Sequence, residues 1–231
     1  MEKFEGKVQS NGLNIYVRYL PSGDKTPVVL VMGLGFQMTT WPPNLIGLLQ
    51  ESGYPVLLFD NRDVGLSEKI SQNYQELLAI SFLKYNFGFK LNSSYTLFDM
   101  ANDTLGLFDY FKINQAHILG ISMGGMIAQI VASMHPERIK SLTLLSTSDN
   151  SKENPIPSIE TLWRMMGSGI GGNDLSSIKQ RSLLLIRTIQ SPGFSQRSDE
   201  ILLKIIEKNY YRSYCPDGRL RQITQSFLQV L

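Results

Sequence analysis

The six residues Gly120-Ile121-Ser122-Met123-Gly124-Gly125 constrain this chain more than any other stretch. A short apolar run, His117-Ile118-Leu119, precedes them, and a helix-like run, Met126-Ile127-Ala128-Gln129-Ile130-Val131-Ala132, follows. Strand, Gly-x-Ser-x-Gly, helix is the context in which the motif becomes a nucleophile elbow. So sharp a turn leaves no room for side chains on its flanks, so Gly120 and Gly124 keep the backbone clear of Ser122. Ser122 is then expected at the strained tip with its Oγ exposed. The helix that starts there directs free N–H groups and its positive dipole end at the same spot, which suits a developing oxyanion.

Bulk properties narrow the rest. A chain of 231 residues holds one large α/β domain or two small ones. Hydrophobic content of 42% and charged content of 18% describe an ordinary globular protein. A net charge of +2 gives no reason to expect nucleic acid or an acidic membrane surface as a partner. The single cysteine, Cys215, cannot form an internal disulfide, which fits a reducing compartment. Met1 to Gly12 has no apolar stretch of signal-peptide length, and the expected location is cytoplasmic.

Two alternating segments, Phe4–Gln9 and Leu13–Tyr19, flank Ser10-Asn11-Gly12 and predict a hairpin. Pro27–Met32 and Tyr54–Phe59 are continuous, apolar and β-branched, as strands buried on both faces should be. A helix over Asn44–Glu51 separates them, so the order reads as a parallel sheet with crossover helices. Leu77–Leu83 has helical character within a stretch that is otherwise hard to read. From Thr96 a helical period returns, carrying Leu97, Met100, Ala101, Thr104, Leu105 and Phe108 on one side. Ser141–Ser146 is a further apolar strand. Beyond Asp149 only helical segments follow, near Ser158–Met166, Leu175–Gln190, Ser198–Tyr211 and Gly218–Leu231. The predicted organisation is a core over 1–149 and a mostly helical cap over 150–231.

The order of motifs resembles the α/β-hydrolase superfamily, most nearly esterases of the aclacinomycin-methylesterase type. Three stretches carry the resemblance: Val31-Met32-Gly33-Leu34-Gly35, Phe59 through Ser67 with its Asp-x-Arg-x-x-Gly-x-Ser pattern, and Gly120–Gly125. It implies an α/β-hydrolase fold: a mostly parallel central sheet, flanking helices and a helical cap, the last two strands missing. It implies Ser122 as the nucleophile, with the backbone N–H groups of Leu34 and Met123 as the oxyanion hole. A carboxylic ester is the implied substrate, and no cofactor or metal is implied. Met32 stands where His is frequent in the superfamily and Asp63 where Gly is frequent; neither position belongs to the triad.

Other residues have plainer readings. Asp60 and Arg62 are expected to form a structural ion pair closing the top of the sheet. Met123, Met126, Met165 and Met166 read as packing and cap lining, and Cys215 as structural filler. A serine hydroxyl needs a base, normally a His held by a carboxylate. The chain has two histidines. His117 lies five residues before Ser122 on one strand, roughly 16 Å away at about 3.3 Å per residue. His135 ends the following helix, roughly 20 Å off at about 1.5 Å per residue. Neither is expected to reach Ser122, and Asp149 alone supplies no base. In the superfamily the acid and His follow two later strands, so the sequence is expected to be a C-terminally truncated hydrolase. A binding protein that keeps the pocket without the triad, or an inactive remnant, is the alternative. The strand at Ser141–Ser146 should then be an open edge, with self-association through it.

Overall fold

The computed structural model describes residues 2–71, 94–149, 151, 172–191 and 197–228. The hairpin forms as its sequence predicts: β1 (Phe4–Ser10) and β2 (Leu13–Leu20) pair antiparallel, with Ser10 opposite Leu13. Asn11 and Gly12 turn the chain with φ of 48° and 76°, the left-handed pair that a two-residue hairpin needs. Next come β3 (Val28–Val31) and β4 (Val56–Phe59), in which every residue is buried. β5 (Ala116–Ile121) and β6 (Ile139–Leu145) complete one six-stranded sheet of order β1-β2-β4-β3-β5-β6. β2 meets β4 antiparallel, and β4, β3, β5 and β6 run parallel. The mostly parallel sheet is thus extended by an antiparallel hairpin on one side.

Alternation along the buried strands divides the core between the two faces. Val29, Val31, Leu57 and Phe59 join one cluster, which α2 (Leu97–Tyr110) and α3 (Met123–Met134) cover with Leu97, Phe108, Ile127 and Ile130. Val28, Leu30, Val56 and Leu58 join the other, against Leu45, Ile46 and Leu49 of α1 (Pro43–Glu51). All six residues predicted to share a face of α2 are buried. Thr96 caps that helix in a reciprocal capping box with Asp99, which satisfies two of its free N-terminal groups. Pro43 opens α1 at the position where a missing N–H costs nothing.

Among the described residues three helices follow the sheet: α4 (Leu175–Ile189), α5 (Asp199–Arg212) and α6 (Pro216–Leu228). Asp174 and Ser198 cap the first two through their side chains, accepting from Ser177 N and Ile201 N. α6 belongs to the core as much as to a cap, because Ile223 and Leu220 pack into the larger cluster. The expected helices near Leu77–Leu83 and Ser158–Met166 lie outside the described residues. Among the described residues no helix is long and apolar enough to cross a membrane.

β6 is the sheet's margin among the described residues, hydrogen-bonded only on its β5 side. Leu144 and Leu145 are each 40% exposed, so an apolar and unpaired edge faces outward. Lys140 puts one charge near the start of the strand, whereas the stretch from Leu142 to Leu145 carries neither charge nor proline. The expected self-association of the 231-residue chain through this edge is checked by size-exclusion chromatography with light scattering. The chain should run as oligomer or aggregate, and Leu144→Lys should shift it toward monomer; a monomeric wild-type chain would overturn the expectation.

Candidate active site

Ser122 occupies the turn between β5 and α3 with φ 53° and ψ −126°, a backbone region that costs a non-glycine residue about 1–3 kcal/mol. Such strain persists only where the surroundings fix it, and four backbone contacts do so here. Ser122 N donates to Leu145 O at 2.9 Å. Its carbonyl accepts from Gly125 N at 2.8 Å, from Met126 N at 3.2 Å and from Thr147 Oγ1 at 2.7 Å. The side chain takes no part in capping the helix, so the hydroxyl stays uncommitted to the turn. The flanking glycines are required by contact: a Cβ on Gly120 would run into the Gly124 carbonyl, and one on Gly124 into the Val31 carbonyl.

β3 lies beside β5, and its C-terminal loop brings Gly33-Leu34-Gly35 to the same place. A Cβ on Gly33 would sit 3.3 Å from Ser122 Cβ. Gly35 turns with φ 69°, and its N–H donates to Gln222 Oε1 at 2.8 Å. Gln222 Nε2 in turn donates to Arg62 O at 2.8 Å, so one fully buried amide joins two loops. Among the described residues, the N–H groups of Leu34 and Met123 have no acceptor. Ser122, Leu34 and Met123 are therefore gathered at the C-terminal ends of β3 and β5, with two amides free.

The run Asp60-Asn61-Arg62-Asp63 after β4 braces this arrangement. Asp60 and Arg62 do not pair with each other as expected; each has its own partner. Asp60 is fully buried, accepts from Met38 N at 2.8 Å and Leu66 N at 2.9 Å, and meets Arg212 Nη1 of α5 at 2.7 Å. Arg62 points its fork at Asp103 of α2, with contacts of 2.7 and 2.6 Å, and lies over the Tyr95 ring. Burial pushes the Asp103 carboxyl above its ordinary range, opposed by the Arg62 fork. Asn61 Nδ2 donates to Met32 O at 2.9 Å. Asp63 adopts φ 69°, the left-handed conformation that favours glycine. Its carboxylate is held by Arg221 of α6 at 2.8 and 2.7 Å and by Ile70 N at 2.8 Å. Asp60 is satisfied by Arg212 and Arg62 by Asp103, so neither is left for the other.

Neither histidine contacts Ser122. His117, near the start of β5, shares a 2.6 Å hydrogen bond with Ser141 Oγ and stacks edge-on against Tyr54. Burial, with Lys140 nearby, holds its pKa below the usual value. His135 pairs with Glu137 at 3.0 Å on the surface. Asp149 is exposed and accepts from Ser151 N at 3.0 Å. Met123 packs in the core and Met126 against it, as read, whereas Met165 and Met166 lie outside the described residues. Cys215 lines a cavity beside the Gly35 loop. Among the described residues no three His, Cys, Asp or Glu side chains converge as metal ligands.

Sequence reasoning missed Gln222, Arg212, Arg221 and Asp103. Their partners lie 41 to 187 residues away, at separations that no local pattern encodes. The only signal was the number of charges that must be buried with Asp60-Asn61-Arg62-Asp63, which demanded partners without naming them.

The model of the alpha/beta hydrolase fold family matches residues 26–168, well over half of the chain. Two similar relatives are rhodomycin D methylesterases, DauP of Streptomyces sp. (strain C5) and DnrP of Streptomyces peucetius. Each is 28% identical over 119 residues, covering 52% of this chain and 34% of the relative, so the match spans about a third of their length. The crystal structure of the enol-lactonase from Burkholderia xenovorans LB400 has the same fold, with a TM-score of 0.67 at 19% identity. That likeness covers 97% of this chain and 74% of the lactonase.

Gln222→Met keeps the volume of the bridge and removes its amide, stranding Gly35 N–H and Arg62 C=O in the interior. A buried group left without its partner costs about 1–3 kcal/mol. The expected outcome is a loss of at least that size in urea unfolding, and an unchanged midpoint would mean the bridge is dispensable.

Proposed function

The chain belongs to the alpha/beta hydrolase fold family, and from that premise we propose that it is a serine hydrolase of carboxylic esters with Ser122 as nucleophile. One observation carries the reading: a strained Ser122, its hydroxyl uncommitted, lies at the same strand ends as two amides that have no acceptor among the described residues. Two methylesterases among its relatives support an ester as substrate.

Ser122 Oγ adds to the ester carbonyl carbon, and the carbonyl oxygen takes up the negative charge. Leu34 N–H and Met123 N–H, fixed in advance, stabilise that oxygen; loss of one such donor typically costs about 10²–10³ in rate. The dipole of α3 adds to them. Collapse of the intermediate expels the alkoxide and leaves an acyl group on Ser122, which water then removes. The proton of Oγ needs an acceptor, and both histidines of these 231 residues are engaged elsewhere. The proposal accordingly has the base supplied from outside these residues.

The same observation about the histidines favours a second reading, a protein that binds an ester or acid in the pocket without turning it over. Two measurements separate the parts of the proposal. The 231-residue chain should hydrolyse p-nitrophenyl butyrate no faster than Ser122→Ala, because both of its histidines are engaged elsewhere; turnover at ordinary esterase rates would refute that. Butylboronic acid forms a tetrahedral adduct with an accessible serine oxygen. Boron NMR should show that adduct in the wild type and none in Ser122→Ala. A folded wild type giving no adduct would count against Ser122 and the amides as an acyl-transfer site, leaving the binding reading.

A further inference from the structure

A cavity of about 110 Å³ opens beside the Gly35 loop, between that loop and helices α4, α5 and α6. Roughly 10–15 Å³ suffices for one water, so the space admits a small organic molecule. Phe36, Ile178, Ile186 and Ile206 give it apolar walls, and Arg219 of α6 lines it.

Arg219 stands apart from the other arginines of the region. Arg62, Arg212 and Arg221 each meet a buried carboxylate at 2.6 to 2.7 Å. Arg219 has no such partner among the described residues: its Nε is sealed from solvent and bonded to nothing. Its Cγ, Cδ and Nε lie against Gly35, where a Cβ would come within 3.2 to 3.3 Å of them. Another cation, Arg181, acts on it, and the Arg181 Nε is sealed and unpartnered in the same way. Asp63 also lines the cavity, but both of its oxygens are taken by Arg221. Burial brings the Arg219 pKa down to about 10; Tyr214 opposes the fall and Arg181 adds to it. Arg219 is half-buried, with its Nε sealed and the rest of the guanidinium left without an anion among the described residues, so part of its hydration is lost without compensation.

We propose that this cavity is a binding site for a short-chain carboxylate, with Arg219 as its counter-charge and the isoleucine-lined wall holding the hydrocarbon tail. A carboxylate is the anion that fits best: its two coplanar oxygens match the guanidinium fork, and its tail suits the apolar side. The proposal stands apart from the role of Ser122, because binding requires no turnover.

Calorimetric titration of the 231-residue chain with sodium butyrate and with butyramide, at constant ionic strength, tests it. The two differ in charge and hardly in shape. Butyrate should bind saturably and roughly 10–100-fold more tightly than butyramide, the range expected of a charge-assisted contact. Arg219→Met and Arg219→Gln should each remove that preference, and whichever variant folds is sufficient. Ser122→Ala should keep it, which distinguishes this cavity from the elbow. Equal binding of the acid and the amide, absence of binding by either, an unchanged preference in the folded Arg219 variant, or its loss in Ser122→Ala would each overturn the assignment.

Discussion

Two carboxylates with no exposed surface, Asp60 and Asp63, decide how the upper half of this molecule is put together. A buried anion is tolerated only when a cation and several N–H groups enclose it. Both cations come from distant helices, Arg212 from α5 and Arg221 from α6. The two pairs therefore fix those helices to the C-terminal end of β4. The desolvation cost of such pairs offsets much of their attraction, so their contribution lies in geometry more than in net stability. Removing one partner would be another matter, because the remaining charge would have nowhere to go.

The elbow depends on this bracing indirectly. Its strain at Ser122 is held by β6 and by Thr147, whereas the facing loop is held by Gln222 on α6. Gln222 takes the Gly35 N–H, and among the described residues the neighbouring Leu34 N–H has no acceptor. For the proposed ester chemistry, a loop anchored at one amide and open at the next is held in advance for a developing negative charge. Preorganisation of that kind is what distinguishes a receptive pair of amides from a flexible loop that must first be ordered.

Much of the fold was legible because its signals are local. The Asn11-Gly12 turn, the continuous apolar runs of β3 and β4, and the face of α2 follow from backbone preference and period. The elbow was legible for the same reason, since its glycines answer to neighbours within a few residues and one adjacent strand. The polar partners were not. Asp60 and Arg62, adjacent in sequence, read as a pair, yet Arg62 reaches Asp103 and Asp60 reaches Arg212. Which cation meets which anion is set by helix crossings that periodicity does not encode. The helical segments after β6 were found from period alone, but the depth of α6, with Ile223 in the main core, depends on packing.

The position of α6 ties these features together. Within about one turn it offers Arg219 to the cavity, Arg221 to Asp63 and Gln222 to Gly35. Arg219 and Gln222 are three residues apart, so they share a helix face, and both bear on Gly35. A group that bound against Arg219 would thus press on the loop whose next residue is Leu34. The link is one helical turn and one peptide unit long, short enough for packing to transmit without any larger rearrangement. Charge in the cavity and the position of the Leu34 N–H are in this way parts of a single packed unit, held in place by the Asp63–Arg221 pair at its side.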